Sequence, residues 1–185
     1  METVFTSVRD LSSKAGQEAT LIGWVAKFRS SGKIAFLGLR DGTGTVQVVI
    51  ARNEVDDASW DAVADLSMES SVRVSGTVRQ DDRAPGGYEI TANHIEVIGR
   101  ADEYPIQPTE HGVDYLQNNR HLWLRHGRQV ASRRVRAESV KAIRDFFYER
   151  DFLLVDSPIL TGSIGESAGT LFSTEYFDLG TAYLA

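Results

Sequence analysis

Between residues 18 and 98 apolar and polar side chains alternate with a period of two, and the alternation is interrupted once. From Thr20 to Arg29, Ile22, Trp24, Ala26 and Phe28 share one face and Lys27 and Arg29 the other. Such a run predicts a strand with one apolar and one mixed face. Ser30-Ser31-Gly32 reads as a turn. Lys33 to Asp41 alternates again, Ala35, Leu37 and Leu39 against Ile34, Phe36, Gly38 and Arg40. Asp41-Gly42-Thr43-Gly44 predicts a hairpin turn, with Asp-Gly supplying the positive φ that tight turns require. Thr45 to Ile50 then sets Val46, Val48 and Ile50 against Thr45, Gln47 and Val49.

The interruption, Asn53 to Met68, has a looser apolar stripe of Val55, Trp60, Val63, Ala64 and Leu66. Asn53 is the expected helix cap, with Glu54, Asp56 and Asp57 suiting the positive end of the helix dipole. Strands resume at Ser71 to Gln80, with Val72, Val74 and Val78 on one face. After the turn Ala84-Pro85-Gly86-Gly87, a fifth runs from Tyr88 to Ile98. Three strands, a helix and two strands in about 80 residues is the order of an OB-fold barrel, an all-β fold that binds oligonucleotides on the face of its second and third strands. If Ala35, Leu37, Leu39, Val46, Val48 and Ile50 fill the barrel, Phe36, Arg40 and Gln47 point outward, with Lys27 and Arg29 beside them. Glu89, Thr91 and Asn93 alternate away from Ile90 and Ala92. An outward aromatic is a stacking platform, Gln and Glu can read base edges, and Arg can hold phosphate. Phe36 could equally be an ordinary half-buried strand residue.

Residues 104–117 carry two of the four prolines, Pro105 and Pro108, and read as an extended linker. Past it, Ser132 is the expected cap of a helix running to about Arg150. Its approximate apolar face is Val135, Ile143, Phe146 and Phe147, and Lys141 and Asp145 are spaced to pair across one turn. Phe152 to Val155 is a continuous apolar run of the kind that forms a buried strand. Pro158 ends its pairing. Thr161 to Thr170 is a loop rich in Gly and Ser around the single acid Glu166, with the composition of a lid. Leu171 to Phe177 reads as another strand.

Composition changes this picture at one point. The chain has 185 residues, no cysteine and a net charge of -6. Disulfide frameworks and Cys-based zinc sites are thereby excluded. No apolar stretch approaches the ~20 residues of a membrane helix. There is no basic, apolar-cored leader, so a cytoplasmic protein with no membrane partner is the expectation. The acidic average conceals segregation: residues 118–150 hold 9 basic and 3 acidic side chains, a balance of +6. A local anion-facing surface is one reading of this block and a solvated helix face the other.

The helix followed by Arg150-Asp151-Phe152-Leu153-Leu154-Val155-Asp156-Ser157-Pro158 resembles motif 1 of the class II aminoacyl-tRNA synthetases, a long helix, a strand and a proline at the dimer interface. Arg120-His121-Leu122-Trp123-Leu124-Arg125 resembles the Arg-X-Leu-X-Leu-Arg signature of the aspartyl, asparaginyl and lysyl subgroup. Tyr104-Pro105-Ile106 and Glu110-His111-Gly112-Val113-Asp114-Tyr115-Leu116, followed by Trp123, resemble its asparaginyl branch. The resemblance implies an OB-fold anticodon-binding domain over residues 1–103, a hinge over 104–117, and over 118–185 the beginning of an α+β catalytic domain with an antiparallel sheet. It implies that Phe36 stacks on the central anticodon base, Gln47 hydrogen-bonds it, Arg29 contacts the loop backbone and Glu89 lies near the first base. It also implies that Glu166 and Ser167 belong to a flipping loop that closes over the amino acid, and that Pro158 is the motif 1 proline of a homodimer. The implied reaction joins asparagine to tRNA(Asn) with ATP and Mg²⁺. No catalytic or metal residue is assigned, because the arginines of motifs 2 and 3 would lie past Ala185. The expectation is a truncated or partly represented synthetase that does not charge tRNA by itself. An aspartyl enzyme of the same subgroup, a non-catalytic OB protein binding RNA or single-stranded DNA, and a recruited synthetase paralogue are the competing readings.

Overall fold

The computed structural model describes residues 4–64, 66–162 and 171–184. It divides into two compact units, Met1–Asn119 and Arg120–Ala185. In the first, five strands close into a barrel: β1 (Glu18–Ser31), β2 (Ile34–Arg40), β3 (Thr45–Ala51), β4 (Ser71–Gln80) and β5 (Tyr88–Gly99), in the order β1-β2-β3-β5-β4. All pairs are antiparallel except β3 with β5. The interior is the predicted one for β2 through β5. Ala35, Leu37, Leu39, Val46, Val48, Ile50, Val72, Val74, Val78 and Ile90 are all buried, and removing these aliphatic side chains from water is the main force closing the barrel.

β1 departs from its predicted alternation. Leu21, Gly23 and Val25 face inward, while Ile22 and Trp24 lie outside, Trp24 46% exposed. The cause is a β-bulge: Val25 pairs with Leu39 and Lys27 with Gly38, leaving Ala26 as the extra residue. One extra residue exchanges the two faces, so Phe28 packs on the core and Lys27 and Arg29 emerge outside. The bulge sits where β1 passes from β4 to β2, since Trp24 pairs with both Ser71 and Arg40. Gly23 is required there, because a Cβ would lie 2.5 Å from the Arg40 carbonyl oxygen.

Two turns also form differently from expectation. Gly42 does not adopt a positive φ. The β2–β3 turn is organised instead by the Asp41 carboxylate, which accepts from the Thr43 N–H (2.7 Å), the Thr43 hydroxyl (2.7 Å) and the Gly44 N–H (2.8 Å). Its other oxygen accepts from the Val8 N–H at 2.8 Å, tying down the N-terminal 3-10 turn Val8–Lys14, whose Leu11 is buried. The helix α1 (Asp57–Ala64) is capped by Asp56 rather than Asn53, with the Ser59 N–H donating to Asp56 Oδ1 at 2.6 Å. That bond first, then His94, holds the Asp56 carboxyl below the usual range.

The first unit continues past the barrel. Within the stretch read as linker, Val113–Asn118 forms a short helix, α2, and the Tyr115 hydroxyl donates to the Pro105 carbonyl at 2.8 Å.

In the second unit, after α3 (Arg120–Trp123), α4 spans Gly127–Tyr148. It starts five residues before the expected Ser132, because His126 accepts the Arg128 N–H on its Nδ1 and serves as the cap. Lys141 and Asp145 pair at 2.6 Å. The helix ends in a Schellman arrangement: the Phe152 N–H bonds the Phe147 carbonyl, the Asp151 N–H bonds that of Tyr148, and Asp151 takes φ 62°. Phe147 and Phe152 meet edge-on at 5.4 Å, the apolar contact that accompanies this cap.

Phe152–Val155 does not form the expected strand. No ladder partner for it lies among the described residues, and the first strand after α4 is β6 (Leu160–Thr161). β6 and β7 (Ser173–Glu175) flank β8 (Thr181–Leu184) in an antiparallel sheet. The predicted strand over 171–177 is thus shorter and gives way to a turn at Phe177–Leu179, and Gly180, at φ 96°, leads the chain into β8.

Candidate nucleic-acid interface

The register of the barrel fixes which outward side chains become neighbours. Arg29 on β1 pairs with Phe36 on β2, and Phe36 with Val49 on β3. One step along, Lys27 pairs with Gly38, Gly38 with Gln47, and Gln47 with Glu89 through the parallel β3–β5 contact. Arg29, Phe36, Gln47 and Glu89, predicted from alternation and resemblance, therefore lie on one continuous face. The bulge at Ala26 is what turns the basic end of β1 toward it.

The side chains on this face engage one another. The Arg29 guanidinium lies over the Phe36 ring, 4.4 Å from its centroid. The Gln47 amide donates from Nε2 to Glu89 Oε2 at 3.2 Å. Between these pairs is a cavity of about 240 Å³, lined by Lys27, Arg29, Phe36, Gly38, Gln47 and Pro85 among others. Lys27 and Pro85 were missed as site residues. The outward placement of Lys27 was legible in the alternation, but that the β4–β5 turn reaches back over β2 and β3 depends on barrel closure. That turn is shaped by Gly86 and Gly87, both at positive φ, and by Arg83, whose guanidinium is paired twice to Asp81 at 3.1 and 3.0 Å.

Arg40 does not join this face. It is committed to a two-pronged pair with Glu69, at 2.8 and 2.7 Å, in which both side chains are largely shielded from solvent. Removing one partner of so shielded a pair leaves the other charge uncompensated. The role of Arg40 is thus to hold the α1–β4 connection onto the barrel wall.

In the second unit, Val140, Ile143, Phe147, Phe152 and Leu154 line a groove of about 640 Å³ together with Leu153 and Val155, which are 84% and 81% exposed. Pro158 follows this run in chain order. Glu166 and Ser167 lie outside the described residues. Among the described residues, no group of three or more His, Cys, Asp or Glu side chains is placed to hold a metal ion. Nor is any helix long and apolar enough to cross a membrane.

Comparison with known proteins accounts for both units. Residues 19–98 match the family model for the OB-fold nucleic acid binding domain, and residues 112–184 match that for class II tRNA synthetases (D, K and N). An asparagine–tRNA ligase from Roseiflexus sp. is 47% identical over 178 residues, 96% of this chain and 40% of the relative. The crystal structure of asparaginyl-tRNA synthetase from Pyrococcus horikoshii complexed with asparaginyl-adenylate superposes with a TM-score of 0.87 at 35% identity, covering 100% of this chain and 43% of that one. A putative aspartyl-tRNA synthetase from Leishmania major gives 0.82 at 25% identity, covering 100% and 38%. The chain spans about 40% of the length of the curated relatives it matches. Two adjoining family matches, sequence identity and fold agree: the chain is similar to the class II tRNA synthetases of the D, K and N group, and to asparagine–tRNA ligases over about 40% of their length.

Proposed function

We propose that this chain is the anticodon-reading part, with the beginning of the catalytic domain, of an enzyme that joins asparagine to tRNA(Asn) at the expense of ATP. In this reading residues 1–103 are the anticodon-binding domain, 104–117 the hinge and 118–185 the start of the catalytic domain. The observation that carries the proposal is the outward face of Arg29, Phe36, Gln47 and Glu89, on a barrel whose relatives are asparagine–tRNA ligases at 47% identity. The aspartyl alternative is less well supported, since the aspartyl relative is 25% identical against 35% for the asparaginyl one.

On this face Phe36 is the stacking platform for the central base and the joined Gln47 amide and Glu89 carboxylate read base edges. A base stacking on an aromatic ring gains about 1–3 kcal/mol. The cation–π contact it displaces from Phe36 is worth about 0.5–1 kcal/mol at an exposed site. The exchange favours the base and frees Arg29 for the phosphate backbone. The anticodon stem-loop of tRNA(Asn) therefore binds this chain at low salt more tightly than the same loop with its middle base changed, and log affinity falls linearly with log salt. Equal affinity for both loops overturns the proposal.

ATP and Mg²⁺ belong to the implied reaction: asparagine displaces pyrophosphate from ATP to form the adenylate, and a ribose hydroxyl of the tRNA then displaces AMP. Among the described residues no group of three or more His, Cys, Asp or Glu side chains is placed to hold Mg²⁺, and neither step is assigned to them. The flipping-loop roles of Glu166 and Ser167 are part of this proposal. So is a homodimer in which a second copy covers the α4 groove and the Leu153–Val155 run, with Pro158 behind it. Leu153→Asp shifts such a dimer to monomer in sedimentation; an unchanged mass refutes that interface.

A further inference from the structure

Beyond the four reading residues, we propose that Gly38 sets what the face admits, leaving a notch for one flat, unpaired base that any side chain of Val size would close. This inference rests on the anticodon-reading function above. The outward row at this level runs Lys27, Gly38, Gln47 and Glu89 across β1, β2, β3 and β5. Three of the four carry long polar side chains and Gly38 none. Neighbouring strands lie about 4.8 Å apart, so the gap between the Lys27 and Gln47 backbones is roughly 10 Å wide. Its floor is Gly38, with Phe36 two residues away on the same face of β2.

The reason for glycine at this position is not conformational. Gly38 does not take a positive φ, and a Cβ on it would meet Lys27 Cβ at 3.3 Å and Lys27 N at 3.6 Å, a contact that asks Lys27 to yield by a few tenths of an ångström. Gly76 contrasts with it, because a Cβ there would lie 2.1 Å from the Thr91 carbonyl oxygen, so the strand pairing itself demands glycine. In a strand interior a glycine without a packing role weakens the strand and often marks close approach of a ligand. At Gly38 the missing side chain opens a cavity of about 240 Å³. That is somewhat below the ~300 Å³ at which drug-sized ligand pockets begin, and suits a single ring. The walls are chemically unlike: the exposed Lys27 on one side, and on the other the Gln47 side chain, whose amide is held by the Glu89 carboxylate. A base in the notch thus offers a carbonyl acceptor to Lys27 and a polar edge to Gln47 and Glu89.

The test is the affinity of the 185-residue chain for the anticodon stem-loop of tRNA(Asn), and for the same loop with an abasic middle position, read by fluorescence anisotropy. Gly38→Val weakens the intact loop about tenfold or more. It leaves the abasic loop within about twofold and the thermal midpoint within about 5 °C. Gly38→Ala, whose Cβ needs Lys27 to yield by a few tenths of an ångström, weakens the intact loop less than Gly38→Val does. Should Gly38→Val fail to fold, Gly38→Thr, of the same size and shape, is read by the same criteria. Wild-type binding by Gly38→Val when Phe36→Ala binds weakly overturns the notch alone. Wild-type binding by both variants overturns the anticodon-reading function itself. Equal weakening of intact and abasic loops by Gly38→Val also overturns the notch, because the base is then not what the side chain excludes.

Discussion

The Asp41 carboxylate accepts four hydrogen bonds, and its removal has a calculable effect. Three of the bonds close the β2–β3 turn and one, from Val8, secures the N-terminal segment. An ordinary intramolecular hydrogen bond contributes a net ~0.5–1.5 kcal/mol, and one to a charged acceptor up to about 3. This turn is only partly shielded and its four bonds share one acceptor, so the lower figure applies and the contributions overlap. Asp41→Ala is expected to cost about 2–3 kcal/mol. Asp41→Asn retains an acceptor for the turn but sets an amide against one of the four N–H or O–H donors, and falls between. The ionisation supplies an independent signature. Partial burial alone would raise the Asp41 carboxyl, but the Val8 N–H, the Thr43 hydroxyl and the N–H groups of Thr43 and Gly44 outweigh it and hold it below the usual carboxylate range. A depressed pKa in the folded state gives stability that is complete above the ordinary aspartate value near 3.9 and is lost as pH falls through the folded value. Urea midpoints followed by tryptophan fluorescence, with Trp24 and Trp60 both in the first unit, should therefore fall for the wild type from about pH 5 downward. That component should be missing in Asp41→Asn. Parallel acid limbs for the two proteins, or an unshifted midpoint for Asp41→Ala at pH 7, would refute the reasoning.

Two further expectations test the face and the second unit. Phe36→Ala, a half-exposed position outside the core, should weaken stem-loop binding by ~1–3 kcal/mol, roughly five- to 150-fold, without lowering the urea midpoint comparably; unchanged affinity in the folded variant would deny the ring its stacking role. Asp151→Gly relieves the left-handed backbone at the end of α4 and should stabilise that helix by about 0.5–1 kcal/mol, seen as higher helicity by circular dichroism on heating; a loss of helicity would show that the aspartate side chain outweighs the backbone strain.

Most of the barrel was legible because its interior obeys the strand period. Val46, Val48 and Ile50 are inside and Gln47 is outside for the same reason, and no other period fits that run. What was not legible depended on partners distant in sequence. The inversion at Ile22 and Trp24 needs the pairing of β1 with two different strands. The diversion of Arg40 needs Glu69, 29 residues on. The Asp41-Gly42 pair has the sequence of a glycine turn, but the contacts that let the aspartate carboxylate shape it instead reach Thr43, Gly44 and the distant Val8. In the second unit, an apolar face on Val135, Ile143, Phe146 and Phe147 reads as a core, yet each is exposed. Amphipathic periodicity says that a face seeks cover without saying what covers it.

The bulge at Ala26 lets β1 serve both core and face, which the same sequence with Ala26 in ordinary alternation could not do. With Val25 inward and Ala26 paired as an ordinary strand residue, strict alternation would bury Lys27 and Arg29 and expose Phe28. Deleting Ala26 tests whether the bulge does more than set this parity. Without it Val25 and Lys27 become neighbours, so Leu21, Gly23, Val25 and Phe28 still face inward and Lys27 and Arg29 outward. Every side chain keeps its face, and what is lost is the bend and extra twist that a bulge gives a strand. If that bend is needed where β1 passes from β4 to β2, the deletion variant should have a lower urea midpoint and weaker stem-loop binding, since the Arg29–Phe36 and Lys27–Gly38 pairs are set by the same register. If parity alone matters, both quantities should match the wild type, and the curvature argument for placing the bulge at the junction would be wrong.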